Sequence, residues 1–511
     1  MTEPASRPLD VLFVNADAPA KAYQDLSKEY SAIEPPTWSL LLAESCRAKG
    51  YGVGILDANA ERLTDEQVAC RIGEIAPRLV CFVVYGQNPN SGTTNMEGNT
   101  TCCALLKHAY PALKTCFVGS HTSALPMEVL KLPFVDFVLL NEGVYALRNL
   151  LKTDLRAGLG KVKGIGHKSN GAPALNAPER VVPQECMDAD LPGYAWDLLP
   201  YRQKPLDLYR SHFWHAKYNH ALRTPFAAIY TSLGCVFKCD FCMVNIVNRV
   251  DNAETIVAAD SPMMRHWSTG FMLKQFEILA EMGVETIRIS DEMFFLNKAY
   301  YEPLLTGIIE RGLPLRTWSY ARVDTVREKY LELFKRAGVD WLAIGIESAD
   351  QVIRREVSKG SFKVVNIRDV VKGIQAAGIN VVANYIFGFP DDTLETMQKT
   401  LDLSLEMVAE FSNYYPCQAL PGSALYNAAK ANGWKLPDTF AGYGFLSYDA
   451  EPLPTRHLTA AEVVRFRDHA WHTYFTYGPC LDLVERKFGL EQRRNVEQMA
   501  TIRLKRKLLG D

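Results

Sequence analysis

Between residues 9 and 150 the chain carries short, unbroken apolar runs at 11–14, 53–57, 79–85, 115–119 and 135–140, and the stretches between them repeat apolar positions at helical spacing. Strands apolar on both faces belong to a parallel sheet covered by helices on each side, because a sheet with one wet face would alternate. The pattern predicts a doubly wound, Rossmann-like α/β domain with its ligand crevice beyond the C-terminal ends of the strands. The candidate binding loops are therefore residues 15–19, 86–94, 119–126 and 141–143.

Residues 156–222 are richer in Gly, Pro and Asn, which predicts a strand-turn-strand followed by an irregular linker. A second series begins at Phe226, with strand-like runs at 226–230, 285–290, 315–322, 340–345, 380–388 and 411–416 and amphipathic segments such as 272–282, 328–337 and 364–377 between them. Six such units suit an open partial barrel. After Gly422 the pattern is helical to the end, and the run Arg503, Lys505, Arg506, Lys507 reads as a solvated helix face. The expected division is 1–155 for the first domain, 156–222 for the linker with its hairpin, 223–425 for the barrel and 426–511 for a helical C-terminal region.

A length of 511 residues exceeds what one core supports, in keeping with that division. The formal net charge of −2 gives no electrostatic case for nucleic acid or an anionic membrane surface as partner. The N-terminus has no apolar signal core and no later segment is apolar enough to span a bilayer, so the expected location is the cytoplasm. Of the 12 cysteines, Cys46, Cys70, Cys81, Cys102, Cys103, Cys116, Cys186, Cys417 and Cys480 are scattered and fit small buried hydrophobes.

The other three are not scattered. Cys235, Cys239 and Cys242 follow the apolar run at 226–230 with spacing C-x-x-x-C-x-x-C. Three thiolates on one loop suit three corners of an iron–sulfur cube and leave the fourth iron open to a ligand. Zinc is the competing reading, but it usually takes four N or S ligands, and no second thiol pair completes the set. His212, His215 and His220 precede the barrel in an irregular aromatic stretch and read as a surface or inter-domain contact. Later strands end in Asp291-Glu292, Arg322, Glu347 and Gly388. Each is weak alone, since an acidic strand end is often a helix cap.

With Phe241 just before the third cysteine, this loop resembles that of the radical S-adenosylmethionine (SAM) superfamily, and the similarity runs over about residues 226–425, including Ser358-Lys359-Gly360 and residues 420–423. The resemblance implies a 4Fe-4S cluster on the three cysteines and SAM chelated to the open iron. It also implies that Asp291 and Glu292 receive the SAM amine, that Arg322 and Glu347 contact its carboxylate and ribose, that Ile386 and Gly388 border adenine, and that a flavodoxin or ferredoxin supplies electrons.

The first domain is similar to that of the cobalamin-binding subgroup. The segment at 118–126, with Gly119, Ser120 and His121, resembles the subgroup's loop after the fourth strand, and residues 136–143, with Glu142 and Gly143, resemble its D-x-x-x-x-G-E-G segment. Ser120 and Asn141 stand where the subgroup has glycine. Gln87, Asn88 and Ser91 lie in a polar loop that reads either as a cradle for corrin amides or as an ordinary turn. No His follows the first strand, so the cobalamin is expected without a protein nitrogen on its lower face. The subgroup's chemistry implies methylation of an unactivated carbon of a small-molecule or biosynthetic-intermediate substrate, through a 5′-deoxyadenosyl radical and methylcobalamin. Cyclisation or another carbon-skeleton change by the same cofactors is the alternative. A non-catalytic sensor, and a first domain that docks substrate without cobalamin, are the readings from other classes.

Overall fold

The computed structural model describes residues 9–16, 22–251, 253, 256–357 and 367–511. Residues 17–19 of the first candidate loop and Ser358-Lys359-Gly360 lie outside the described residues. The first sheet has strands β1 (Val11–Asn15), β2 (Val53–Asp57), β3 (Leu79–Val84), β4 (Lys114–Gly119) and β5 (Phe137–Leu139). Its order is β2-β1-β3-β4-β5, all parallel, so the direction of winding reverses between β1 and β3. All six residues of β3 are buried, as expected for a strand covered on both faces.

The expected hairpin forms as β6 (Ile165–Ser169) and β7 (Ala172–Leu175). It adds antiparallel to β5 and so extends the first sheet to seven strands.

The second sheet contains β8 (Phe226–Ile229), β11 (Thr286–Ile289), β12 (Arg316–Arg322), β13 (Val339–Glu347), β14 (Asn380–Phe387) and β15 (Phe411–Pro416). These six strands are parallel and in chain order from β8 at one edge to β15 at the other, a curled partial barrel. Inserted after β8, the short strands β9 (Ser232–Cys235) and β10 (Met263–His266) form an antiparallel ladder of their own.

The linker fills the N-terminal end of this barrel. Trp214 sets its ring 5.0 Å from Trp318 and 5.1 Å from Trp341. Nearby, His212 Nε2 lies 3.1 Å from Glu34 Oε1, and Arg288 Nη1 lies 2.7 Å from Glu34 Oε2. The histidine stretch is thus partly an inter-domain contact: His215 is buried and His212 half-buried, while His220 is exposed.

Helices Ala460–Phe475, Gly478–Phe488 and Leu490–Ala500 close the chain. The basic run differs from expectation: it follows the last of these helices, and Arg506 is 1% exposed because Asp468 takes two of its guanidinium nitrogens. Among the described residues no helix is long and apolar enough to cross a membrane.

Candidate cofactor site between the two domains

The cysteine loop starts from a clamp. Asp291, just past β11, accepts hydrogen bonds from the Thr231 amide at 2.6 Å, the Thr231 hydroxyl at 2.6 Å and the Ser232 hydroxyl at 2.5 Å. Burial pushes its carboxyl up to about 6, against the pull of these donors. One step on, Gly234 has φ +86°, and a Cβ there would lie 2.1 Å from the Met263 carbonyl oxygen, so only glycine passes under β10. The Cys235 amide then donates to Asn245 Oδ1 at 2.8 Å.

The rest of the loop is tied down at both flanks. The Asp240 amide donates to the Val357 carbonyl and the Asp240 carbonyl accepts from the Leu425 amide. Phe241 packs its ring 5.5 Å from that of Phe389. Cys235, Cys239 and Cys242 are half-buried, and none is in a disulfide. Burial, and then Cys239, push the Cys242 thiol up. Among the described residues no three His, Cys, Asp or Glu side chains stand close enough to hold a metal ion by themselves. Uncharged thiols have no mutual attraction, and ligands of this kind are drawn together by the metal they bind. The donor set fits the cube: three thiols on one anchored loop, none of them in a disulfide.

Around this loop stand the ends of the barrel strands. Glu292 is half-buried and its charge acts on Cys242, Tyr230 and Arg288. Arg322 lays its guanidinium 3.7 Å from the ring centre of Phe237, inside the cysteine loop, and pairs with Asp324 at 3.0 Å. Glu347 ends β13 at φ +66°, where the register with β14 slips, and is 5% exposed. A bulky residue in the left-handed region at a strand end costs energy that the surroundings must offset, and such sites are often functional.

Two expected SAM contacts have other partners. Asp291 is spent on Thr231 and Ser232, which leaves Glu292 as the acidic group facing the loop. Gly388 gives its amide to Asp392 Oδ2 at 3.0 Å, and its missing Cβ makes room for Val463 of the helix Ala460–Phe475. Its glycine is therefore accounted for by helix packing. Ile386 packs beside Phe241 in the apolar cluster of Phe389.

The loops of the first domain reach the same place. After β3, Gly86 turns at φ +61°, and Gln87, Asn88 and Ser91 are half-buried. Asn90 Oδ1 accepts from the Met243 amide at 2.9 Å. After β4, a Cβ on Gly119 would lie 2.4 Å from the Val84 carbonyl oxygen, and the Ser120 hydroxyl donates to the Pro89 carbonyl at 2.6 Å. Gly143 turns at φ +81° against Val118, and Asn141, at φ +51°, accepts from the Gly143 amide at 3.0 Å. Asparagine tolerates the left-handed region where the subgroup has glycine.

Two residues expected at the corrin are engaged elsewhere. His121 is buried, shares a hydrogen bond with the Thr93 hydroxyl at 3.1 Å and stands edge-on to Phe440; burial alone lowers it to about 4. Glu142 pairs with Arg265 of β10 at 2.8 Å and accepts from the Val182 amide. Sequence reasoning missed Asn90, Thr231 and Arg265, because their partners lie far along the chain. Only the placement of Asn90 in a candidate loop hinted at a role.

The family model of the radical SAM superfamily matches residues 229–404, and that of the B12 binding domain matches residues 25–151. The chain belongs to the radical SAM superfamily, in the group whose members carry a B12-binding domain ahead of the radical domain. Its relatives include an uncharacterised methyltransferase of Pyrococcus horikoshii, 25% identical over 445 residues that cover 86% of this chain and 88% of the relative. An anaerobic magnesium-protoporphyrin IX monomethyl ester cyclase of Rubrivivax gelatinosus is 23% identical over 428 residues, covering 81% and 69%. The fold matches the radical SAM methyltransferase TsrM of Kitasatospora setae, solved with cobalamin and a [4Fe-4S] cluster, at a TM-score of 0.64 and 16% identity over 96% of this chain and 99% of the other. It also matches the cobalamin-dependent SAM radical enzyme OxsB, solved with cobalamin and SAM, at a TM-score of 0.65 and 16% identity over 96% and 71%.

Proposed function

We propose that this chain is a cobalamin-dependent radical SAM C-methyltransferase acting on a small molecule. The carrying observation is that the loop after β3 of the B12-binding domain meets the cysteine loop directly, with Asn90 on the Met243 amide at 2.9 Å. Cofactors held by these two loops would face one enclosed space. When bound, the cluster with SAM supplies one-electron cleavage chemistry, and cobalamin supplies a methyl carrier.

In this reading Cys235, Cys239 and Cys242 hold the cluster. Glu292 accepts the SAM amine, Arg322 orients its carboxylate, Glu347 accepts from the ribose, and Ile386 and Phe241 form the apolar wall beside adenine. Asp291 positions the loop through Thr231. Gln87, Asn88, Ser91, Gly119 and Gly143 shape the corrin face, while Ser120 and Glu142 act as supports. The substrate would lie in the barrel beside Tyr320, Asn384, Asn413 and Tyr415, where Asn413 Nδ2 donates to Asn384 Oδ1 at 3.0 Å and the Tyr415 hydroxyl reaches the same oxygen at 3.4 Å. Asn384 is buried and the other three are half-buried, and these amides and phenols supply donors and acceptors with no net charge, which suits a polar, largely uncharged substrate portion. An electron-donor protein such as a flavodoxin or ferredoxin would deliver the electron.

The cyclase name of the Rubrivivax relative keeps ring closure as the second reading. Both are tested by reconstituting the protein anaerobically with cobalamin, adding SAM deuterated at its methyl group and a reductant, and following product mass in metabolite fractions. A product carrying the label supports methylation; 5′-deoxyadenosine with a rearranged, unlabelled product supports ring closure.

A further inference from the structure

Asn90 has an orientation that its neighbours fix. Its Oδ1 accepts from the Met243 amide at 2.9 Å, and a backbone N–H can only donate, so the oxygen faces that way. The amide flanks Cys242 Sγ, with Nδ2 at 3.7 Å and Oδ1 at 3.8 Å from it; a cluster-bound thiolate has no hydrogen to give, so there only Nδ2 can hydrogen-bond the sulfur, as a donor. Asn90 belongs to the B12-binding domain, 152 residues before that thiol.

The loop that presents Asn90 is itself braced. Asn88 Oδ1 accepts from the Asn90 amide at 3.0 Å, and the Ser120 hydroxyl holds the Pro89 carbonyl at 2.6 Å. Gly92 makes the brace possible, since a Cβ there would fall 1.9 Å from Ser120 Oγ. Ser120 stands where the similar cobalamin-binding domains have glycine, and its hydroxyl makes a bond that glycine could not.

We infer that Asn90, held by Ser120, is a positioning and tuning residue that donates a hydrogen bond from the cobalamin loop to a cluster thiolate and so raises the cluster's reduction potential. The inference rests on the proposed role of Cys242 as a cluster ligand. A donor on a thiolate sulfur stabilises the more negative, reduced cluster, and hydrogen bonds to sulfur are among the main determinants of cluster potential.

The test is a mediated redox titration of the reconstituted full-length protein, read by electron paramagnetic resonance of the reduced cluster without SAM, with iron and sulfide content measured in parallel. Asn90→Asp keeps an acceptor for the Met243 amide and removes the donor, so its midpoint falls. Asn90→Ala falls by less, because no negative charge is added. Ser120→Ala, whose side chain does not touch the cysteine loop, falls in the same direction by a smaller amount and adds nothing to Asn90→Ala in the double variant. An exchangeable-proton coupling to the reduced cluster, seen by electron-nuclear double resonance, disappears in both Asn90 variants. A full cluster with an unmoved midpoint in the Asn90 variants overturns the inference alone, and an unmoved midpoint in Ser120→Ala overturns the role of the brace. A wild-type protein that takes up no four-iron cluster overturns the reading of Cys242 and this inference with it.

Discussion

Glu142 and Arg265 meet at 2.8 Å in a pair whose side chains are 1% and 2% exposed, joining the B12-binding domain to the strand that backs the cysteine loop. Arg265 also donates to the Val182 carbonyl at 2.7 Å and to Asn248 Oδ1 at 3.1 Å, and Asn248 reaches Asn245, the acceptor for the Cys235 amide. Removing one partner strands a buried charge. Glu142→Ala should therefore cost about 3–5 kcal/mol in urea unfolding, and a Glu142→Gln/Arg265→Met double variant should cost less than the two single losses summed.

The acidic pair at the end of β11 should divide by function. Asp291→Ala leaves Thr231 and Ser232 donors buried without their acceptor, so stability falls by about 3 kcal/mol or more and cluster content with it. Glu292→Gln should leave thermal unfolding near wild type and weaken SAM binding about ten-fold, measured by calorimetry on the reconstituted protein.

Glu347 offers a backbone test. Glu347→Ala removes the carboxylate but keeps a Cβ at φ +66°, whereas Glu347→Gly removes both. Both variants should bind SAM roughly ten- to a hundred-fold more weakly, and the glycine variant should be the more stable by about 1 kcal/mol in denaturant melts.

His121 sets a pH dependence. Its folded value of about 4 lies below the ordinary 6.5, so the folded chain refuses a proton that the unfolded chain accepts. The stability it contributes is complete above pH 6.5 and is lost as pH falls towards 4, with a slope of at most about 1.4 kcal/mol per unit. His121→Asn should flatten that slope in unfolding curves taken between pH 7 and 5. Because the imidazole is committed to Thr93 and Phe440, the same substitution should leave the paramagnetic spectrum of bound cob(II)alamin unchanged, with no nitrogen splitting in either protein.

The cysteines carry the plainest expectation. Cys235→Ala, Cys239→Ala and Cys242→Ala should each lose the four-iron cluster by iron analysis and abolish 5′-deoxyadenosine formation, while far-ultraviolet dichroism stays that of the wild type.

What the sequence determined by itself is local and periodic. Unbroken apolar runs required strands covered on both faces, their alternation with amphipathic segments required parallel β/α units, and the spacing of Cys235, Cys239 and Cys242 required a loop able to hold a cluster. All of this is written within a few residues of where it acts. Tertiary structure decided which polar residues are taken up by partners in the frame and which stand beside the cysteine loop. Asp291 and Glu292 are neighbours of the same chemical class, yet one is consumed by Thr231, 60 residues earlier, and the other faces the loop. Glu142 and His121, expected at the corrin, also have partners, Arg265 and Thr93, that only folding brings to them. Gly388, expected beside adenine, also makes room for Val463. A buried polar group must find its partner wherever the chain returns, and that partner's position is a property of the packed domains.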